Sequence, residues 1–141
     1  MAGTAQGFEN DIGCVQLSSP IGDTTGVFKV KSATDAELRD QLVNISGYPV
    51  DKNLGTMQYW HANRIKAVTS NRVFYDIDTY GGQSGSNLYV LNAPDDIPEV
   101  VAIHAYGVGA TPKDVPLEVN SGTRLTAALV TQIQSWIADN P

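Results

Sequence analysis

A serine set among glycines is the first place in this sequence where chemistry could be done. The stretch Gly81-Gly82-Gln83-Ser84-Gly85-Ser86 places a small hydroxyl nucleophile in a backbone that can take conformations closed to other residues. Acyl transfer through a serine needs an exposed hydroxyl. It also needs backbone N–H groups aimed at the oxyanion that develops on the attacked carbonyl. A Gly-Gly-X-Ser-Gly run between two strands supplies both. The same composition describes an ordinary turn of a β protein, so the loop alone leaves both readings open.

The other reactive residue types are few. Cys14 is the only cysteine, so no internal disulfide, CxxC pair or cysteine-based zinc cluster can form. It lies in the apolar run Ile12–Leu17 and reads as a small buried hydrophobe, the sharper alternative being a partner in a segment outside this sequence. There are two histidines, His61 and His104. Taken singly, His104 in its apolar strand reads as a structural histidine, and Asp11 as a turn or surface carboxylate. Asn44-Ile45-Ser46 fits an N-glycosylation triplet but falls on a predicted strand, which favours a structural role. No cofactor or metal is expected.

The elements that must position these residues are mostly strands. Short alternating segments separated by turn residues predict an all-β barrel or sandwich. Strands are predicted at Ile12–Leu17, Gly26–Lys31, Leu42–Gly47, Thr56–His61, Arg64–Thr69, Val73–Ile77, Ser86–Leu91 and Val100–Tyr106. A helical turn is predicted within Ala33–Gln41, with Thr34 or Asp35 as its cap. From Leu125 to Ala138 the apolar residues Leu125, Leu129, Ile133 and Trp136 recur at helical spacing, with Thr126 as N-cap. This predicts one amphipathic helix on a β domain, with Ile133 and Trp136 in the core.

Composition bounds the function. At 141 residues and 42% hydrophobic, the chain suits one compact domain with a real core. A net charge of −6 argues against a nucleic-acid binder and offers no basic face to an anionic membrane. The start Met1-Ala2-Gly3-Thr4 opens no apolar run of signal-peptide length, and no stretch is long enough to span a bilayer, so the chain as it stands is expected to be soluble and to carry no export signal.

Several segments, taken together, resemble the glutamyl endopeptidases, chymotrypsin-fold serine proteases that cut after acidic residues. The run Tyr75-Asp76-Ile77-Asp78-Thr79-Tyr80-Gly81-Gly82-Gln83-Ser84-Gly85-Ser86 is similar to their nucleophile region. Asn10-Asp11-Ile12-Gly13-Cys14-Val15-Gln16-Leu17 resembles their catalytic-aspartate strand, Ser46-Gly47-Tyr48-Pro49 a characteristic turn, and Ala102-Ile103-His104 a pocket strand. Ser121-Gly122-Thr123-Arg124-Leu125-Thr126 followed by Ile133-Gln134-Ser135-Trp136 resembles the last strand and terminal helix. The matches keep the family's order from about Asn10 to the end, which is far more specific than one loop. Asn87 departs from the pattern, standing where the family often has proline.

The resemblance implies roles. Ser84 matches the nucleophile, the N–H groups of Gly82 and Ser84 the oxyanion hole, and Asp11 the acid that orients the catalytic imidazole. Thr79 and His104 match residues lining the pocket for the substrate's acidic side chain, where a buried carboxylate must be hydrogen-bonded or paired. The implied fold is the second six-stranded antiparallel β-barrel of the protease with a C-terminal helix, residues 19–141, preceded by an arm, residues 1–18, holding the last strand of the first barrel. Secretion and a peptide or protein substrate with an acidic side chain are implied as well.

The general-base histidine is not matched. In the family it precedes the aspartate by several tens of residues; here ten residues precede Asp11, and none is histidine. An Asp–His–Ser order with His61 as base would follow the subtilisin arrangement, but that fold is α/β. The strand Ile12–Leu17 would lack its neighbours, so it is expected to pair with a complementing N-terminal half or a second copy, to pack back differently, or to be poorly ordered before about Ser18. Two functions follow: a serine endopeptidase whose base lies outside this chain, or a non-catalytic barrel that oligomerises or binds a peptide or partner.

Overall fold

The computed structural model describes residues 11–94, 96–109, 115 and 118–139. Six strands close an antiparallel barrel: β2 (Leu42–Gly47), β3 (Tyr59–Val68), β4 (Arg72–Tyr75), β5 (Asn87–Val90), β6 (Glu99–Tyr106) and β7 (Asn120–Arg124). The ring runs β6–β5–β2–β3–β4–β7 and closes by the β6–β7 pairing. A two-residue strand β1 (Lys29–Val30) adds to β6 in parallel. Closure gives every barrel strand a neighbour on each side, and β1 pairs the start of β6 that β7 does not reach.

The alternation expected of half-buried strands fills the interior. Val43 and Ile45 of β2, Ile65 of β3, Val73 and Tyr75 of β4, and Leu88 and Val90 of β5 join one buried cluster. Phe74 points the other way from Val73 and Tyr75 by strand alternation and joins a second cluster with Val115 and Val119. All four residues of β4 are therefore buried.

The described residues also form two short α-helices and one longer one, α1 (Gly22–Thr25), α2 (Asp35–Leu38) and α3 (Ala127–Asp139). Thr34 caps α2 through a reciprocal capping box with Glu37. Arg124 ties this segment to the barrel, donating to the Asp35 carboxylate at 2.6 Å and to the Ala33 carbonyl at 2.6 Å. Thr126 Oγ1 accepts the Leu129 N–H at 3.3 Å, the capping role read from the sequence.

Five expectations need correction. The two strands Thr56–His61 and Arg64–Thr69 are one strand, β3, because Ala62-Asn63 stays in register with Asn44 and Val43 of β2 instead of turning. The bend comes later, at a register shift between Ile65 and Ala67 opposite β4. Gly26–Lys31 shrinks to β1, and Ile12–Leu17 is assigned to no strand. Cys14 is exposed, as are Val15 and Leu17, because no strand of the described chain lies alongside to cover them. Helix α3 has no fully buried residue, and Ile133 and Trp136 are half-buried rather than core. The strand content of 86–91 and 100–106 and the terminal helix agree with expectation to within a residue or two at their ends.

Candidate active site

The loop between β4 and β5 carries Ser84 and is fixed at several points. Tyr80 and Gln83 clasp each other, the Gln83 N–H reaching the Tyr80 carbonyl at 3.2 Å and the Tyr80 N–H reaching Gln83 Oε1 at 2.8 Å. Ser86 N–H then donates to the Gln83 carbonyl at 3.0 Å. Gly85 N–H donates to the His104 carbonyl at 2.8 Å, and His104 N–H to the Ser86 carbonyl at 2.9 Å, so β6 holds the loop's exit. Gln83 is buried while Ser84 is exposed. The loop thus anchors the residue before the serine and leaves the hydroxyl accessible.

The turn at Tyr48-Pro49-Val50 is the floor of this loop. Val50 N–H donates to the Gly81 carbonyl at 2.8 Å. Gly82 has φ +98°, and a Cβ there would stand 2.8 Å from the Tyr48 carbonyl oxygen and 2.9 Å from Val50 Cγ1. Both the backbone sign and the lack of space require glycine. Among the described residues, neither the Gly82 nor the Ser84 N–H is donated to a protein acceptor.

Ser84 lines a cavity of about 490 Å³ together with Asp11, His104, Ile103, Phe28 and Ile133. Three residues singled out in the sequence, Ser84, Asp11 and His104, therefore share one cavity. Thr79 does not. It lines a second cavity of about 560 Å³ with His61, Trp60, Tyr80 and Gln83.

His104 is buried in β6, and its Nδ1 lies 2.6 Å from the Tyr75 hydroxyl. Burial lowers its pKa to about 4, so the ring is neutral at neutral pH. The Tyr75 hydroxyl is pushed far above the usual phenol range by burial and stays protonated. Asp11 is held by the barrel face: its carboxylate accepts from the Tyr106 hydroxyl at 2.6 Å, and its carbonyl from Thr123 Oγ1 at 2.9 Å. Burial first, and then the Asp11 carboxylate, push Tyr106 up to about 12. The Arg72 guanidinium stacks 5.2 Å from the Tyr106 ring and 5.0 Å from Phe74.

His61 sits on β3, where its Nδ1 accepts the Asp78 N–H at 3.0 Å. Among the described residues no imidazole is hydrogen-bonded to the Ser84 hydroxyl. Asn44 is buried and engaged through both ends of its amide, to the Tyr89 carbonyl and from Trp60 Nε1, which supports its structural reading. Sequence reasoning passed over Tyr75 and Tyr106 as strand residues. Only the ring register β4–β7–β6 brings them to His104 and Asp11, and nothing local in the sequence signals it.

A glutamyl endopeptidase of Bacillus licheniformis is 37% identical over 130 residues, which is 89% of this chain and 39% of that protein. The chain belongs to the glutamyl endopeptidase family. Glutamyl endopeptidases of Staphylococcus epidermidis are 33% identical over 89 residues, covering 62% of this chain and 29% of their own length. A protein of Bacillus subtilis named as an extracellular metalloprotease is 31% identical over 127 residues, 89% of this chain and 37% of that protein. A solved Glu endopeptidase structure, in complex with MPD, superposes with a TM-score of 0.70 at 29% identity, covering 86% of this chain and 52% of that one. No protein-family model matches. The chain thus spans 29–39% of the length of these curated relatives and about half of the solved structure. The barrel with its terminal helix is the chymotrypsin-like fold that this family's sequence pattern implied.

Proposed function

We propose that this chain is the nucleophile-bearing part of a secreted serine endopeptidase that cleaves peptide bonds after Glu or Asp. The reading rests on one observation above others: Ser84, Asp11 and His104, from three separate segments, line one cavity. Ser84 attacks the scissile carbonyl, forming an acyl-enzyme and releasing the amine. The N–H groups of Gly82 and Ser84, which no protein acceptor claims, would receive the oxyanion, a contribution of about 10²–10³ in rate per donor. Asp11 would orient an imidazole that takes the Ser84 proton and returns it to the leaving amine. That imidazole comes from outside this sequence, since His61 lines the other cavity and His104 is bonded to Tyr75. His104 is the recognition group for the acidic side chain, with Thr79, which lines the neighbouring cavity, as the second residue that the resemblance assigns to it.

A second reading, a non-catalytic barrel that binds a peptide or partner, is favoured by one observation: among the described residues no imidazole is hydrogen-bonded to the Ser84 hydroxyl. A cleavage assay separates the two. The chain is mixed with the N-terminal half of a family member and offered peptides differing only in Glu, Asp, Gln or Lys before the scissile bond. Cleavage after Glu and Asp that vanishes in Ser84→Ala supports the enzyme. Indifference to the acidic residue removes the proposed specificity, and no cleavage in any mixture leaves the binding module.

A further inference from the structure

A neutral imidazole carries one N–H and one lone-pair nitrogen, and its partners decide which is which. The partner of His104 Nδ1 is the Tyr75 hydroxyl, with both residues buried. Tyr75 lies on β4 and His104 on β6, with β7 between them; Gly122, the β7 residue paired with His104, has no room for a Cβ against the Ile103 carbonyl and the His104 Cα. The three strands are therefore held close where the hydroxyl meets the ring.

Two arrangements of the proton are conceivable, and they are not equal. If Nδ1–H donated to Tyr75, the phenol's own proton would be left in the core, because Nδ1 is the only partner of that hydroxyl among the described residues. A buried donor without an acceptor is expensive. If Tyr75 donates to Nδ1, that proton is satisfied and the imidazole proton moves to Nε2. Nε2 has no protein partner among the described residues and is not sealed from solvent, and His104 lines the Ser84 cavity.

We infer that Tyr75 is a positioning residue for specificity: it donates to Nδ1 of His104, fixes the Nε2–H tautomer, and so presents a neutral N–H donor to whatever carboxylate enters the cavity. The consequence for substrate choice rests on the recognition role of His104 proposed above; the tautomer itself does not. A pocket built this way recognises an acidic side chain by a hydrogen bond and not by a fixed positive charge. An amide side chain, which also offers a carbonyl acceptor, would be disfavoured only by the weaker neutral bond.

The test is imidazole ¹⁵N NMR on the whole chain at neutral pH, with His61→Ala leaving His104 as the sole histidine. The expected spectrum shows one tautomer, protonated at Nε2. Tyr75→Phe, which keeps the ring and removes the hydroxyl, should give a mixture of tautomers. Protonation at Nδ1 in the native chain would overturn the inference, as would an unchanged tautomer in a folded Tyr75→Phe barrel. If that variant does not fold, the native tautomer alone decides. A short peptide ending in Glu is then titrated in. A shift at His104 Nε2 supports its recognition role. The Nε2–H tautomer with no shift would sink that role while leaving the Tyr75 assignment standing.

Discussion

The two segments that meet at the cavity are held in different ways. Ser84 is fixed by backbone: the loop is pinned to the turn at Val50 and to β6 at His104, and Gln83 is buried beneath it. Asp11 is fixed by side chains, one bond from Tyr106 and one from Thr123, and beyond the half-buried Ile12 the chain is exposed from Gly13 through Ile21. A backbone-fixed site survives most substitutions around it, whereas a side-chain-fixed arm depends on each tether. The difference teaches that the barrel orders the Ser84 loop by its own backbone, while the arm is lodged on a surface that leaves Val15 and Leu17 uncovered.

The predictions that break or sharpen this contrast run from large to small. Ser84→Ala in a complemented enzyme should cost about 10⁶ in turnover, by analogy with loss of any triad nucleophile. Gly82→Ala should lose about 10²–10³ in rate and at least about 2 kcal/mol of stability, because the Tyr48 carbonyl and Val50 occupy the space and φ is positive. Steady-state kinetics and denaturant melts check both. A comparable change in the arm, Asp11→Asn, should leave the barrel's melting unchanged to within about 0.5 kcal/mol.

His104 supplies a pH prediction of intermediate size. Its folded pKa is about 4, below the 6.5 of the free side chain, so between those values the unfolded chain takes up a proton that the folded one refuses. Stability is therefore full above about pH 6.5 and falls as the pH drops toward 4, by about 3 kcal/mol at most. Denaturant melts from pH 7.5 to 4 should show this slope, and His104→Gln should flatten it. Tyr106→Phe, which removes the tether of Asp11, should cost about 1 kcal/mol or less and chiefly raise hydrogen exchange of residues 11–17. The smallest effect is expected for Val15→Ser and Leu17→Ser, which stand 84% and 57% exposed and should change stability by under about 0.5 kcal/mol.

What the sequence disclosed follows the same division. The limits of β2 were legible because Val43 and Ile45 alternate with more polar neighbours between clear turn signals. The nucleophile loop and the terminal helix were legible because glycine spacing and helical periodicity are local properties. Ile12–Leu17 and Cys14 misled for the opposite reason: an apolar run promises burial only if another element covers it, and Cys14, Val15 and Leu17 stay exposed. Ile133 and Trp136 misled in the same way, with periodicity marking the inward face of α3 but not how deeply it sinks. The continuity of β3 through Ala62-Asn63 is imposed by pairing with β2, a tertiary cause. Thr79 and His104 were grouped by resemblance alone; they line two different cavities, and no local feature of the sequence links them. Tyr75 and Tyr106 were invisible because their partners are more than twenty residues away.

The most direct test of the proposal that the base lies outside this sequence is labelling of Ser84 by a phosphonofluoridate, read by mass spectrometry, in the chain alone and with the N-terminal half of a family member added. The account predicts labelling of Ser84 only when that half is present, and none in Ser84→Ala. Prompt labelling of Ser84 in the chain alone, abolished by His61→Ala, would contradict it by showing that the base was within this chain throughout.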